Sequence, residues 1–237
     1  MPLADLTTTR YPNGVTNVNE TVLTASLKKM DPLLFQDFLD DFVDFVPTAW
    51  TVTETQAGAT QATSAGAGGL LSLVNSAADN DVNQIQKAFG SFLPVAGKKT
   101  FCRCRFQLSD ATQSDFAIGF ATVSADATVL ANSLDGIFFL KADDAATISL
   151  YSRKDNAAGS ISVVVATLVN ATMIELGFFY DGGDRLYYEV NGAVQGYITV
   201  SAATLPDAVG APVISLKNGD ANARTAIVDY LWIAQER

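Results

Sequence analysis

At 237 residues, 49% apolar and 17% charged, the chain can bury a substantial core and lies far from the composition of a disordered protein. Fifteen Lys plus Arg against 25 Asp plus Glu leave a formal charge of −10, so the average surface repels phosphate backbones and anionic membranes; neither nucleic acid nor a membrane is expected as a partner. The absence of His removes Ser-His-Asp and Cys-His catalysis, and with two Cys in the whole chain no zinc shell can be completed.

Residues 1–34 are rich in Thr and Asn, are punctuated by Pro2, Pro12 and Pro32, and show no sustained periodicity, which reads as an extended arm. Within "RYPNGVTN" the order Tyr11, Pro12, Asn13, Gly14 specifies a turn, because Pro presets φ at the first central position and Asn tolerates left-handed geometry at the second. The first nine residues hold no Lys or Arg and no apolar run follows, so no secretory leader is expected and the chain should start at Met1 or Pro2. Without that route the sequons at Asn19 and Asn170 carry no meaning.

"DPLLFQDFLDDFVDF" (31–45) is ambiguous: Leu34, Phe35, Phe38, Leu39 and Phe42 fit a helical face, whereas the chain around Pro47 suits an extended lead into a strand. The expectation is a short helix or 3₁₀ turn and then the first strand. "WTVTE", "GLLSLVN" and "VNQIQKAF" read as strands, with the Gly/Ala/Ser-rich piece 56–69 a loop or flexible hairpin. "DNDVN" places Asp79, Asp81 and Asn83 at the spacing of a calcium loop. Gln84 and Gly90 replace the Gly and Glu such a loop requires, so a polar turn is the better reading.

"KKTFCRCRFQL" and "SDFAIGFATV", joined by Ser109 to Ser114, read as a strand pair. Cys102 and Cys104 share one face of the first, an arrangement that disfavours a bridge, and are expected reduced and half-buried. The charge-free stretch 156–174 has membrane-span length but contains seven polar or Gly positions and is better taken as two strands with a turn. "YYEVNGAVQGYI" is the sharpest local signal, since Asn191-Gly192 between strand formers matches a two-residue type I′ hairpin. The terminal "TAIVDYLWIAQ" alternates Val228, Tyr230, Trp232 with Ile227, Leu231, Ile233 and should be covered on both faces.

About a dozen strands, turn signals between them and no convincing helix give one all-β domain over 35–237, a two-sheet antiparallel jelly-roll sandwich preceded by the arm 1–34. No phosphate-cradling motif is present, and no cofactor or metal is expected. Glycoside hydrolysis needs only two carboxylates, yet Glu occurs at 20, 54, 175, 189 and 236 alone, with no two close in sequence. The acidic pairs Asp181/Asp184 and Asp143/Asp144 sit in turns, so no enzyme is expected. Tyr151, Tyr187, Tyr188 and Tyr197 are candidates for stacking on sugars, a task rarer for strand tyrosines than packing.

Taken in order, "TRYPNGVTN", "FQDFLDDF", "WTVTE", "SDATQSDFAIGF", "DGIFFLKAD" and "DYLWIAQER" resemble a family of virion structural proteins of tailed bacteriophages, and the sandwich part resembles laminin-G or concanavalin-type jelly rolls. The resemblance implies a head decoration or cement protein made in the host cytoplasm and seated on the capsid exterior. Its partners would be the major capsid protein and copies of itself, with a trimer implied by analogy. It transfers no catalytic residue. The arm would reach over capsid subunits, with Arg10, Tyr11, Pro12, Asn13 and Gly14 forming the contact turn. A tail or fibre component that binds glycans, and more remotely a polysaccharide-cleaving enzyme, are the alternatives the sequence leaves open.

Overall fold

In a computed structural model of the protein, the residues described are 34–124, 130, 134–155 and 160–237. They form the strands β1 (Phe35–Asp40), β2 (Thr51–Glu54), β3 (Thr60–Ser64), β4 (Leu70–Val74), β5 (Val82–Gln86), β6 (Thr100–Leu108), β7 (Ser114–Thr122) and β8 (Gly136–Lys141). These are followed by β9 (Thr147–Arg153), β10 (Ile161–Thr167), β11 (Ile174–Tyr180), β12 (Arg185–Val190), β13 (Ala193–Thr199), β14 (Gly210–Asn218) and β15 (Thr225–Glu236). An eight-stranded sheet runs β13-β12-β11-β6-β15-β4-β3 with β1 also on β15, and a seven-stranded sheet runs β10-β9-β8-β7-β14-β5-β2. All pairings are antiparallel, so the fold is the expected jelly-roll sandwich.

The core between the sheets is aromatic. Phe106 of one sheet meets Phe116 of the other with ring centroids 4.6 Å apart, and Phe178 lies 6.0 Å from Phe120 and 5.9 Å from Phe139. All five are 0% exposed, and each buried ring contributes roughly 1.5–3 kcal/mol. Cys102 and Cys104 face this core as free thiols, completely rather than half buried, and burial pushes both thiols well above their ordinary range.

Three local expectations are corrected. The segment expected as a short helix is the strand β1, paired with β15 from Phe35↔Glu236 to Asp40↔Leu231. "FQDFLD" fits period 2 as well as period 3.6, and the edge of β15 decides between them by supplying backbone partners. Phe42 then turns into the core through a left-handed backbone at φ 48°, and the 3₁₀ turn falls later, at Pro47–Ala49. Second, β6 and β7 are not a pair: they lie in opposite sheets. Their connection crosses between layers, held by Asp110, which accepts from the Thr112 and Gln113 amides and pairs with Arg224 at 3.0 Å. Third, the alternation of β15 is broken by a bulge between Val228 and Tyr230. Val228, Leu231 and Ile233 therefore share the core face, and Tyr230 and Trp232 the outer one.

Other expectations match the structure. The Gly/Ala/Ser-rich piece 56–69 supplies β3 and the turn of the β3–β4 hairpin. Asn191 and Gly192, at φ 49° and 75°, make the β12–β13 turn, where Asn191 Oδ1 also accepts from the Glu175 amide at 3.0 Å. The 156–174 stretch contains β10, a turn and the start of β11 in the other sheet, with 156–159 outside the described residues.

Lys141 is fully buried at the end of β8, donating to the carbonyls of Thr112 at 2.6 Å and of Ser114. Burial pulls its pKa down to about 8 from 10.5, against the opposing pull of Asp115, Asp143, Asp110 and Asp144. Between those values the unfolded chain holds the proton more tightly than the folded one, so stability rises with pH. Urea unfolding at intervals from pH 7 to 10 should show the wild-type midpoint climbing relative to that of Lys141→Met; parallel curves would contradict the depressed pKa.

Candidate functional site

A groove of about 540 Å³ runs along one edge of the sandwich between β1 and the segment 87–92. One wall is Gln36, Asp37 and Phe38; the others are Thr48 and Ala49, then Lys87 to Phe92, with Pro212 beneath. Lys87 is fixed inside it. Its ammonium lies 3.9 Å from the Trp50 ring centroid and 5.4 Å from that of Phe38, and donates to the Ala49 carbonyl at 3.1 Å. Burial lowers the Lys87 pKa and raises that of the nearby Asp40 carboxyl, whose Oδ1 accepts from the Phe42 amide.

Asp37 and the 83%-exposed Phe89 line the groove. Along β1 and its flanking segments Leu34, Leu39, Val43 and Val46 are exposed as well, Val43 to 74%. Asp37, Asp41 and Asp44 are exposed beside them, and no ion pair among the described residues neutralises these three. Single exposed apolar residues are ordinary on a protein surface; their concentration on one edge is what marks a contact site.

The backbone of β1 is also open on this side. The Arg237 amide donates to the Leu34 carbonyl at 2.7 Å, which makes Leu34 and Arg237 a hydrogen-bonded pair. By antiparallel alternation Gln36, Phe38 and Asp40 also bond to β15, while the amides and carbonyls of Phe35, Asp37 and Leu39 point away from it. The Arg237 Nε takes the Phe35 carbonyl at 3.0 Å. Asp37 and Leu39 keep their outward groups unpaired among the described residues.

Elsewhere the fold consumes its polar chemistry. On the outer face of the eight-stranded sheet, Arg103 Nε donates to Glu189 Oε1 at 2.6 Å and lies 3.7 Å from Glu175 Oε1, while the Tyr230 hydroxyl donates to Glu175 Oε2 at 2.7 Å. Two carboxylates separated in sequence are thus gathered on one face by the β11–β12 hairpin, which residue spacing did not reveal. Arg103 stands between them, and the Glu189 side chain is 1% exposed, out of reach of water and substrate. Gly177 makes room for it, since a Cβ there would lie 2.4 Å from Glu189 Oε1. Burial raises the Glu189 pKa against the pull of Arg103, and burial with the Glu175 contact pushes the Tyr230 hydroxyl far up.

On the seven-stranded sheet, Arg153 is 1% exposed, with its guanidinium 4.6 Å from the Tyr151 ring and 5.0 Å from that of Phe138; burial pulls its pKa down to about 10. Asp135, Asp155 and Asp207 bring carboxylate oxygens within 4.8 Å of one another, an arrangement able to hold a cation, although Lys154 already pairs with Asp207 at 2.9 Å.

The anticipated contact turn, Arg10 to Gly14, lies outside the described residues. Of the four candidate tyrosines, Tyr151 lies under Arg153 and Tyr188 packs on the core. Tyr187 and the 50%-exposed Tyr197 form an outer aromatic pair at 5.6 Å, with Arg185 stacked over Tyr197 at 4.7 Å. In "DNDVN", Asp81 is buried and accepts from the Ser76 amide at 2.7 Å and the Thr55 hydroxyl at 3.1 Å, and Asn83 donates to the Thr60 carbonyl of β3, so both are committed to the fold. The sequence reading passed over the groove because its walls come from segments far apart in the chain; only the acidic, Phe-rich "FQDFLDDF" marked one side of it.

The fold places the chain among lectin-like jelly rolls. It is similar to the carbohydrate recognition domain of Emp47p (14% identity, 86% of this chain and 98% of that one, TM-score 0.58) and to peanut lectin (12%, 85% and 97%, 0.58). It is similar as well to an endo-1,3-β-glucanase of Streptomyces sioyaensis (13%, 87% and 98%, 0.60). No family model and no curated relative matches the chain. At these identities the likeness defines the fold and leaves activity undetermined.

Arg103→Met would leave the Glu189 carboxylate buried without its partner, and should cost about 3–5 kcal/mol in urea unfolding. The double variant Arg103→Met/Glu189→Met should recover most of that loss. Equal stability of wild type and Arg103→Met would mean that the pair contributes nothing.

Proposed function

We propose that this chain is a virion structural protein, a decoration or cement protein that seats its sandwich on the outside of a tailed-phage head. The observation that carries this reading is the concentration of exposed apolar side chains on the edge where the chain enters the sandwich, around Leu34, Leu39, Val43 and Phe89. An arm preceding Leu34 and a groove beside it would engage neighbouring subunits together, adding buried area that exists only in the assembled shell. The family resemblance of the sequence supports the same role, with the major capsid protein and further copies of this chain, as a trimer, for partners. The polar groups that could have formed a glycosidase pair are locked around Arg103, which supports a non-catalytic role.

Shells assembled from the major capsid protein of the same genome should co-sediment with the full chain. A chain lacking residues 1–33 should stay folded and bind them at least tenfold more weakly. Undiminished binding by the truncated protein would remove the arm from the mechanism, and no binding by the full chain would remove the role itself.

A second reading, a glycan-binding module of a tail or fibre, rests on the exposed Tyr197 beside Tyr187 and on neighbours that include carbohydrate recognition domains. It expects saturable signals on a glycan array that Tyr197→Ala abolishes. Signals unchanged in that variant, or none in the wild type, would count against it.

A further inference from the structure

We infer that the free edge of β1 is a strand-addition site for an extended, basic segment of a partner protein, which lies in the groove with lysine or arginine side chains alternating with apolar ones. Three independent features converge. The outward amides and carbonyls of Asp37 and Leu39 are two donors and two acceptors at the register an added antiparallel strand requires. Apolar surface follows on the side where such a strand would lie, from Phe38 across to Phe89 and Phe92.

Charge selects the occupant. Asp37, Asp41 and Asp44 are exposed and unneutralised among the described residues, Asp40 adds a half-buried carboxyl, and the whole chain carries −10. Two cations lie at this edge: Lys87, engaged by the Trp50 ring and the Ala49 carbonyl, attracts Asp40, and Arg237 donates to the Phe35 carbonyl, while Asp37, Asp41 and Asp44 have no ion pair among the described residues. An acidic strand would meet like charge at Asp37 and along the segment that follows β1, whereas a basic one would gain Coulomb energy there. Period-2 alternation would then turn every second side chain of the added strand towards the apolar wall and the others towards the aspartates.

The edge is left available by what surrounds it. β4 occupies the same side of β15, but pairs only with Thr225 to Val228, so it ends before β1 begins at Leu231. Neither strand shields the other, and among the described residues β1 pairs with β15 alone. The facing segment contributes Ser91, whose carbonyl accepts from Gln36 Nε2, and this contact closes one end of the groove without covering Asp37 or Leu39.

This inference takes the protein-docking reading of the groove as its starting point, but not the identity of the shell. The test uses the full chain and a fluorescein-labelled short peptide of alternating lysine and valine, read by anisotropy, with the same peptide carrying glutamate in place of lysine as control. The lysine peptide should bind saturably and the glutamate peptide at least tenfold more weakly. Leu39→Pro removes an outward amide while sparing the bonds to β15, and proline is tolerated at such edge positions; it should weaken binding at least tenfold at an unchanged unfolding midpoint. The charge variant Asp37→Lys/Asp41→Lys should reverse the preference between the peptides, and it decides the matter if Leu39→Pro misfolds. Equal binding of both peptides, or a preference unchanged in the charge variant, overturns the inference. Peptide binding without shell binding would sink the virion role and leave this site standing, whereas shell binding without saturable binding of the lysine peptide would do the reverse.

Discussion

The pairing of β15 is the interaction on which the rest of the molecule depends. This strand bonds β6 along one edge, and on its other edge first β4 and then β1. Each neighbour takes its conformation from that ladder. β1 is extended because Leu231 to Glu236 offer it backbone partners, although its own side chains are equally compatible with a helix turn. The bulge after Val228 rotates the second half of the strand, so that Leu231 and Ile233 stay in the core and Tyr230 reaches Glu175. A strand that served only one neighbour would leave the groove without its wall.

Charge follows the same economy. An acidic chain packed as two sheets has few places for buried ions, and those it keeps are committed to the fold. Lys141 closes two carbonyls, Arg103 joins two carboxylates, and Arg153 lies on aromatic rings. Each group pays a desolvation cost that its contacts offset, which ties it to structure rather than chemistry. Part of the negative charge that remains unpaired among the described residues, at Asp37, Asp41 and Asp44, lies on β1 and the segment after it, where solvent screens it and a partner can reach it.

The neighbours with known structures place this sandwich beside recognition domains and a glucanase at 12 to 14% identity. At such identities the likeness shows the fold alone, and a fold by itself fixes no function, which has to be argued from particular edges and faces. Here exposed apolar and acidic side chains lie together on β1 and its flanks, beside a groove.

By itself the sequence determined most of the strands and turns. Asn191-Gly192 fixes a hairpin because few residues adopt successive left-handed conformations, and the runs around Phe116, Phe138 and Phe178 are short, apolar and rich in strand formers. Asp181 in "YDGGDR" and Asp110 in "SDATQS" cap turns as their local chemistry dictates. It did not determine which strands are neighbours. Whether β6 and β7 pair or face each other, whether "FQDFLD" is helix or strand, and whether Glu175 and Glu189 meet all depend on contacts between residues distant in the chain. Local propensity is nearly balanced at those points, so the tertiary structure decided them by supplying the backbone hydrogen bonds and the buried area that one alternative could use and the other could not.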